Sequence, residues 1–392
     1  MISKRINEMM ETSSFIRKMF ETGSELKAKY GAENVFDFSL GNPHALPPEN
    51  FNSVLLEKAA DKTRHAYMPN AGYPDVRQKV AEFASTEQQK VLSGDNVVMT
   101  SGAGGALNAV LKTLLNPGDT VIASTPCFME YKFYCDNHGG SLVLVPGKKD
   151  FNIDVENIEG AITEKTAAVI INSPNNPSGR VYPEETIIAL GRMLKKKSSE
   201  IGRTVYLISD EPYRKIVYDG ITVPPVLKHY NNAIICTSYS KDLSIPGERI
   251  GYAAVNPDAE DYDNLINGII LCNRILGYVN APALMQRTIA ELQGVSVDIN
   301  LYKKKRDMLA GGLKEMGYEF RIPEGTFYLL VKAPGGDDMK MVDLLLQEKI
   351  LTVPGRGFGV PEYFRIAFCV DENVISGAMD GFRRAAEKAG ML

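Results

Sequence analysis

One lysine occupies an unusual place in this sequence, directly after an apolar run. The segment Ala233–Tyr252 reads AIICTSYSKDLSIPGERIGY, with Lys241 beyond a strand-like stretch and Arg249 eight residues later. A buried ammonium group is costly unless it has a partner or a task. Burial and the charge of Arg249 should lower the pKa of Lys241, as a lysine that forms Schiff bases requires. The segment therefore indicates a reactive lysine.

Two further polar segments follow apolar runs. Val205–Tyr213 reads VYLISDEPY, so Asp210 closes a run and Tyr213 comes three residues later. A carboxylate at a strand end is often a turn former or helix cap, and the alternative is an anion for a cationic partner. Ile171–Tyr182 reads INSPNNPSGRVY, a tight turn that could hold Asn176 at the carboxyl end of a strand. Open α/β sheets bind ligands at that edge.

A glycine-rich turn precedes these segments. Val97–Leu107 reads VVMTSGAGGAL, in which a strand pattern leads through the glycines into a helix pattern. Backbone N–H groups at such a helix start, with the positive end of the helix dipole, can bind a phosphate. A nicotinamide-binding turn would need Gly or Ala where Leu107 stands. Leu107 therefore counts against a nicotinamide-dependent dehydrogenase. The alternative that the glycines form only a plain tight turn, without a bound phosphate, stays open.

The elements that position these side chains can be predicted from seven short runs rich in β-branched residues and bounded by turn formers. They are 96–100, 120–124, 141–145, 167–172, 205–209, 233–237 and 250–255. Helical periodicity over 106–115, 184–197 and most of 291–316 lies between or after them. Near-continuous apolar strands joined by helices predict a mostly parallel sheet flanked by helices. A smaller α+β unit should contain 320–331 and 363–370.

Composition narrows the class of protein. The chain has 392 residues, and 44 Lys+Arg against 48 Asp+Glu give a net charge of −4, which argues against a nucleic-acid binder. Five scattered cysteines without a C-x-x-C pair argue against disulfides or zinc and favour a reducing compartment. We expect no metal site, because the four histidines are far apart. No apolar run approaches the roughly 18 residues of a membrane span, so we expect a cytoplasmic enzyme.

The ordered set of glycine turn, Asn, Asp-x-x-Tyr, Ser-x-Ser-Lys and Arg resembles the fold type I pyridoxal-phosphate enzymes. It is most similar to the class I/II aminotransferases of the aspartate aminotransferase superfamily, from about Asp37 to Phe368. The resemblance implies an α/β fold with a seven-stranded sheet. It implies a large cofactor domain at 46–290, and a small domain made of 1–45 and 291–392. It also implies amino-group transfer from an L-amino acid to a 2-oxo acid.

The resemblance implies a role for each residue that matches a motif. Lys241 would carry the internal aldimine, Asp210 would pair with the pyridine nitrogen, and Tyr213 would contact the phenolic oxygen of pyridoxal 5'-phosphate. Asn176 would hold the same oxygen, and Phe128 in TPCFMEY would stack on the ring. The cofactor phosphate would be held by Gly102, Ala103, Gly104, Ser238, Ser240 and Arg249.

Substrate and partner contacts are implied in the same way. Arg365 in FRIAF would bind the substrate α-carboxylate, close to Asn176 and the backbone of Gly41. Tyr67 would reach the phosphate of a partner subunit in a homodimer. At the two positions where aspartate-specific relatives place a cation, this chain has Ile275 and Gly104, so the amino donor stays open. An eliminating enzyme of the same fold, such as a C–S β-lyase, is the alternative. A ligand-binding regulator with this fold would need an added DNA-binding module.

Overall fold

The computed structural model describes residues 2–11 and 15–392, and the remaining four residues lie outside the described part. A seven-stranded sheet forms its centre, with strand order β2-β8-β7-β6-β5-β3-β4. Strands β3 to β7 pair in parallel, whereas β8 is antiparallel to both β2 and β7. The predicted α/β class with a mostly parallel seven-stranded sheet is therefore confirmed. Its strands are β2 Val97–Thr100, β3 Thr120–Thr125, β4 Ser141–Pro146, β5 Thr166–Asn172, β6 Tyr206–Asp210, β7 Ala233–Ser238 and β8 Gly251–Val255.

Helices cover both faces of this sheet. Successive residues of its central strands point to opposite faces, and the residues on both faces are apolar. Ile170 and Ile208 pack into one hydrophobic core, and their neighbours Val169 and Leu207 pack into another. Such strands must be buried on both faces. Within the described residues the helices are α1 Lys4–Glu11, α2 Phe15–Tyr30, α3 Glu49–Ala60, α4 Pro74–Gln88, α5 Gly102–Leu114, α6 Glu130–Asp136, α7 Val155–Ala161, α8 Glu184–Ile201, α9 Tyr262–Ile275, α10 Ala283–Ala290, α11 Ile299–Glu315, α12 Asp338–Gln347 and α13 Glu372–Lys388.

A second, smaller α+β region has its own core around an antiparallel sheet. The sheet has the order β11-β12-β9, with β9 Tyr328–Lys332, β11 Val353–Pro354 and β12 Tyr363–Ala367. Helices α11, α12 and α13 pack on it through a core that includes Leu309, Leu345 and Phe382. The short strands β1 Phe36–Asp37 and β10 Ile350–Leu351 pair in parallel. That pairing brings the chain just after β1 close to this second sheet.

The predicted helices differ from the observed ones mainly at their ends. Helix α5 begins at Gly102 and not at Ala106, because the glycine turn itself forms the first helical turn. Apolar periodicity starts only at Ala106, and glycine carries no periodic signal. The region 291–316 is helical only from Ile299, where the Asp298 side chain accepts a hydrogen bond from the N–H of Asn300 and caps α11.

Candidate active site

A cavity of about 300 Å³ lies at the carboxyl ends of β5, β6 and β7, between the two sheets. Parallel strands bring the polar residues that follow each of them to one edge. Segments distant in sequence therefore line one space. The predicted residues that line it are Gly41, Ala103, Gly104, Phe128, Asn176, Asp210, Tyr213, Ser238, Ser240, Lys241, Arg249 and Arg365.

Lys241 is the reactive group that this geometry favours most. Its Nζ donates a 2.8 Å hydrogen bond to the carbonyl of Gly41 and lies 5.5 Å from the centre of the Phe327 ring. Burial lowers the pKa of Lys241 to about 8, and the cations Arg365 and Arg249 lower it less. The sequence interpretation expected both effects, and burial is the larger. A substantial fraction of this amine is therefore neutral near physiological pH.

Asp210 ends β6 as a buried carboxylate with one oxygen in use. Tyr131 donates a 2.6 Å hydrogen bond to its Oδ2, whereas Oδ1 is buried and has no hydrogen-bond partner among the described residues. Burial raises the pKa of Asp210 to about 7, against the opposing effect of the Tyr131 bond. An unpaired buried oxygen is expensive unless a ligand supplies the donor. Asp210 therefore fits a cationic N–H group in the cavity.

Arg365 is the largest fully buried side chain in the described residues. Its Nη1 donates to Asn176 Oδ1 at 3.1 Å and its Nη2 donates to the carbonyl of Ser39 at 2.7 Å, while Nε has no partner in the described structure. The guanidinium lies 4.3 Å from the centre of the Tyr328 ring. Burial lowers the pKa of Arg365, which nevertheless remains charged. A buried guanidinium without a carboxylate partner is suited to bind an anionic ligand.

The hydroxyl of Tyr213 is held at the cavity wall by a second tyrosine. The hydroxyl groups of Tyr213 and Tyr328 are 2.9 Å apart, and the two rings pack edge to face. Burial raises the pKa of Tyr213 well above its ordinary value, so the phenol is a neutral donor. Gly41 completes this wall, and a Cβ atom there would overlap the Tyr328 hydroxyl. Glycine at this position is required by the close approach of that ring.

The glycine turn and Arg249 form the opposite end of the cavity. Gly102 has a positive φ of 71°, and a Cβ atom there would lie 2.8 Å from Nη2 of Arg249. Arg249 also has a positive φ, and its Nη1 donates to the carbonyl of Pro246. Ser238 and Ser240 line the same cavity. Hydroxyl groups, a guanidinium and a helix N-terminus together are donors suited to a phosphate.

The structure brings further residues to the site that the sequence interpretation missed. Tyr131 is the second residue of α6 and lies three residues after Phe128, and this closeness in sequence was the available signal. Tyr328 follows a Gly-Thr-Phe turn, and Asn172 ends β5 and donates to the carbonyl of Asp210 at 2.8 Å. The cavity-lining residues without a prior prediction are Leu40, Leu107, Tyr134, Asn172, Pro212, Pro246 and Tyr328.

Two predicted positions are not at the cavity wall of a single chain. Tyr67 is 92% exposed, and Gly102, unlike its neighbours Ala103 and Gly104, does not line the cavity. Ile275 is also exposed, at the end of α9. In residues 2–11 and 15–392 no cluster of His, Cys, Asp or Glu is arranged to hold a metal ion. No helix in this part of the chain has the length and apolarity needed to cross a membrane.

Comparison with known proteins agrees with this geometry. The profile of the family "Aminotransferase class I and II" matches residues 33–382. The aspartate aminotransferase of Thermotoga maritima is 32% identical over 97% of this chain and 98% of its own length. The solved structure of an amino transferase from Eubacterium rectale has a TM-score of 0.95 and 42% identity over 99% of both chains.

Thermophilic relatives of known structure agree less closely in sequence but share the fold. The aspartate aminotransferase from Thermus thermophilus, solved with maleate, has a TM-score of 0.86 and 26% identity over 98% of this chain and 99% of that chain. The profile match covers both sheets and every segment that lines the cavity. The chain is therefore a member of the class I and II aminotransferases, and amino-group transfer is its reaction.

Proposed function

We propose that this enzyme uses pyridoxal 5'-phosphate, held by the residues of the cavity, to transfer the amino group of an L-amino acid to a 2-oxo acid. The observation that carries the proposal is the common cavity of Lys241, the unpaired Asp210 Oδ1 and the buried Arg365. The phosphate would bind at Gly102, Ala103, Gly104, Ser238, Ser240 and Arg249. The ring would lie against Phe128, with its nitrogen at Asp210 and its phenolic oxygen at Asn176 and Tyr213.

Three independent features of the described residues fit pyridoxal 5'-phosphate. The buried Asp210 Oδ1 lacks the donor that a protonated ring nitrogen would supply. The cradle at Gly102 has no space for a side chain beside Arg249. Lys241 is partly neutral at physiological pH, as the lysine of such a cofactor must be. When bound, pyridoxal phosphate supplies the electron sink that stabilises a carbanion at the α-carbon.

The chain's own groups supply the binding and the proton transfer. Arg365 offers two parallel N–H donors to the substrate carboxylate and so fixes the orientation of the α-carbon. In our proposal the carboxylate replaces the contacts of Arg365 with Ser39 and Asn176, and the Gly41 backbone lies nearby. The neutral Nζ of Lys241 then accepts the α-proton and returns it, as a general base and acid. Asp210 keeps the ring nitrogen protonated during this step.

We further propose a homodimer in which Tyr67 contacts the phosphate in the partner subunit. Tyr67 is 92% exposed in a single chain, and Leu46 and Leu56 are 84% and 71% exposed. Burial of these side chains against a second copy would remove apolar surface from water, which favours association. The division into a large domain at 46–290 and a small domain at 1–45 and 291–392 remains part of the proposal, as does a cytoplasmic location. Sedimentation at working concentration tests the dimer. A monomer that retains full activity and bound cofactor would contradict it.

Substrate preference is tested with a panel of amino donors added to cofactor-loaded enzyme without an acceptor. Loss of the absorption band of the lysine-bound cofactor identifies each donor. We expect keto acid to form repeatedly only when a 2-oxo acid acceptor is also present. Release of ammonia or thiol without an acceptor would support the alternative, elimination by a C–S β-lyase or a related enzyme.

Lys241→Ala is the direct test of the proposed lysine. We expect the rate to fall by about 10²–10⁴-fold, the usual contribution of a general acid–base group, and the absorption of lysine-bound cofactor to disappear. Lys215→Ala is not a suitable control, because its side chain packs behind the cavity. Lys196→Ala is suitable, since that lysine is exposed on α8. Undiminished turnover of the Lys241 variant would refute the proposal.

A further inference from the structure

A second layer of charged side chains lies behind the cavity, on the two segments that carry its polar groups. In residues 210–215, Asp210 and Tyr213 line the cavity, whereas Glu211, Arg214 and Lys215 face a separate water-sized space of about 20 Å³. In residues 238–242, Ser240 and Lys241 line the cavity and Tyr239 and Asp242 line the small space, while Ser238, like Pro212, lines both. Each segment therefore lies between the cavity and the buried layer and presents side chains to both.

Within this layer one ion pair joins the two segments directly. Lys215 Nζ donates to Asp242 Oδ2 at 2.9 Å, and both side chains are largely buried, with exposed fractions of 15% and 8%. Lys215 is two residues beyond Tyr213, and Asp242 is the residue after Lys241. The two members of the ion pair are therefore close in sequence to Tyr213 and to Lys241.

The surrounding contacts fix each member of the pair. The carbonyl of Asp242 accepts a 2.7 Å hydrogen bond from the N–H of Val297, and its Oδ1 accepts one from the N–H of Leu243. The ammonium of Lys215 lies 4.6 Å from the centre of the Phe83 ring on α4. Desolvated charge pairs of this kind hold their neighbours in one geometry, because separating them leaves a charge buried alone. Loss of either partner should therefore remove the side-chain link between residue 215 and the segment that carries Lys241.

Adjacent charges in the same layer hold the other segment. Glu211 accepts hydrogen bonds from Ser209, Gln88 and Arg214, at 2.7, 3.0 and 3.0 Å. Burial raises the pKa of the neighbouring Glu87. These groups tie the end of β6 to α4 independently of Lys215. Backbone pairing and the Thr237 hydroxyl, which donates to the carbonyl of Glu211 at 2.9 Å, join β6 to β7 before the lysine. The Lys215–Asp242 ion pair adds a side-chain link just beyond the lysine.

We propose that Lys215 and Asp242 are positioning residues that fix Lys241 relative to Tyr213 at the cavity wall. The inference rests on the role proposed for Lys241. The proposed effect of the pair on Lys241 is geometric, whereas the charged and titratable groups that shift the pKa of Lys241 are Cys369, Arg365 and Arg249. Small displacements of a reacting group cost rate steeply, and a shift of about 1 Å can cost about 100-fold.

The test compares Lys215→Met, Asp242→Asn and the double variant with the wild-type protein. Competitive acetylation of the Lys241 amine, followed by mass spectrometry of the cofactor-free protein, gives its titration midpoint, which we expect near pH 8 in the wild type because burial lowers the pKa of Lys241 to about 8. We expect each variant to raise the midpoint by about one pH unit, because a displaced lysine is better hydrated. With cofactor, kcat should fall about 10-fold or more, while KM for the amino donor changes less than about twofold. Lys215→Arg should restore both properties.

A matched control pair separates positioning from loss of stability. Arg203 and Asp119 form a partly buried ion pair of 2.6 Å just before β6 and β3, at the opposite edge of the sheet. Arg203→Met and Asp119→Asn should lower the melting temperature and leave the Lys241 midpoint unchanged. If a single variant of Lys215 or Asp242 does not fold, the double variant, which leaves no lone charge, is compared with the double control.

The possible results distinguish this inference from the proposed function. An unchanged Lys241 midpoint in the Lys215 and Asp242 variants, with cofactor-dependent turnover intact, overturns the inference alone. Wild-type protein without lysine-bound cofactor or transfer overturns the proposed role of Lys241, whatever the variants do. A raised midpoint that Lys215→Arg reverses supports the inference.

Discussion

Tyr131 donates a 2.6 Å hydrogen bond to Oδ2 of Asp210, and this bond directs the second carboxylate oxygen toward the cavity without a protein partner. Tyr131 itself is only 1% exposed and packs edge to face against Phe128. One aromatic side chain thus links the residue proposed to stack on the cofactor to the carboxylate proposed to pair with its nitrogen.

Replacing Tyr131 with Phe removes the donor and keeps the ring. The hydrogen bond from Tyr131 lowers the pKa of Asp210, so its loss should raise that pKa above about 7 and leave more of the carboxyl protonated at neutral pH. We expect kcat to fall about tenfold, in the range for a hydrogen bond to a charged group. The acid limb of the pH–rate profile should move to higher pH.

Tyr230→Phe is the control for this variant, because its buried hydroxyl donates to the carbonyl of Val205, away from the cavity. It should lose stability and keep the wild-type pH profile. An unshifted profile in Tyr131→Phe would contradict the prediction.

The raised pKa of Asp210 predicts how the cofactor-free protein responds to pH. Between about pH 4 and pH 7 the folded chain keeps a proton that the unfolded chain, with an ordinary value of 3.8, has released. The contribution of Asp210 to stability is therefore greatest at the acid end of this window and falls as the pH rises through it. The expected loss of this contribution is on the order of 4 kcal/mol, at about 1.4 kcal/mol for each of about three pKa units.

Urea unfolding of cofactor-free wild-type and Asp210→Asn protein over this pH range measures the effect. The Asn variant cannot titrate, so its stability should decline less steeply than that of the wild type. Equal slopes for the two proteins would show that Asp210 is not buried as an unpaired carboxyl. Added cofactor should reduce the wild-type slope, because a cationic ring nitrogen pairs with the carboxylate.

Arg365→Lys retains the charge and loses the planar pair of donors. A lysine offers a point charge in place of two parallel bonds, so we expect KM for the amino donor to rise about 10- to 100-fold. That factor corresponds to about 1.5–3 kcal/mol for a charged hydrogen bond. The substrate provides the control, since an amine without an α-carboxylate should react equally with both enzymes. An unchanged KM for amino acids would exclude Arg365 as the carboxylate site.

Gly102→Ala tests the cradle proposed for the phosphate. The new Cβ would lie 2.8 Å from Arg249 Nη2 in a backbone with φ of 71°, so Arg249 must move. We expect the dissociation constant of pyridoxal phosphate, measured by fluorescence titration, to rise about tenfold or more, the effect of losing about one charged hydrogen bond. Gly311→Ala is the matched control, because its position on α11 is open and the substitution should stabilise the helix by about 0.5–1 kcal/mol.

Much of the large sheet follows from local pattern. All seven predicted strands occur, with ends shifted by at most one residue at either side, because β-branched runs bounded by turn formers define strands strongly. The order of these strands could not be read locally. Strand β2 lies beside β8 and not beside β3, and its antiparallel pairing depends on contacts between residues far apart in the chain.

The sequence by itself indicated much of the chemistry available at this site, because residue type and order along the chain sufficed to single out Lys241, Asp210 and Asn176, and the resemblance to a family added Arg365. Only the tertiary structure decided which atoms are left for a ligand. The Tyr131 bond leaves Asp210 Oδ1 free, the Asp242–Lys215 pair lies behind Lys241, and the carbonyls of Ser39 and Gly41 contact Arg365 and Lys241. These contacts join segments up to 326 residues apart, and burial shifts pKa values only once such segments pack together.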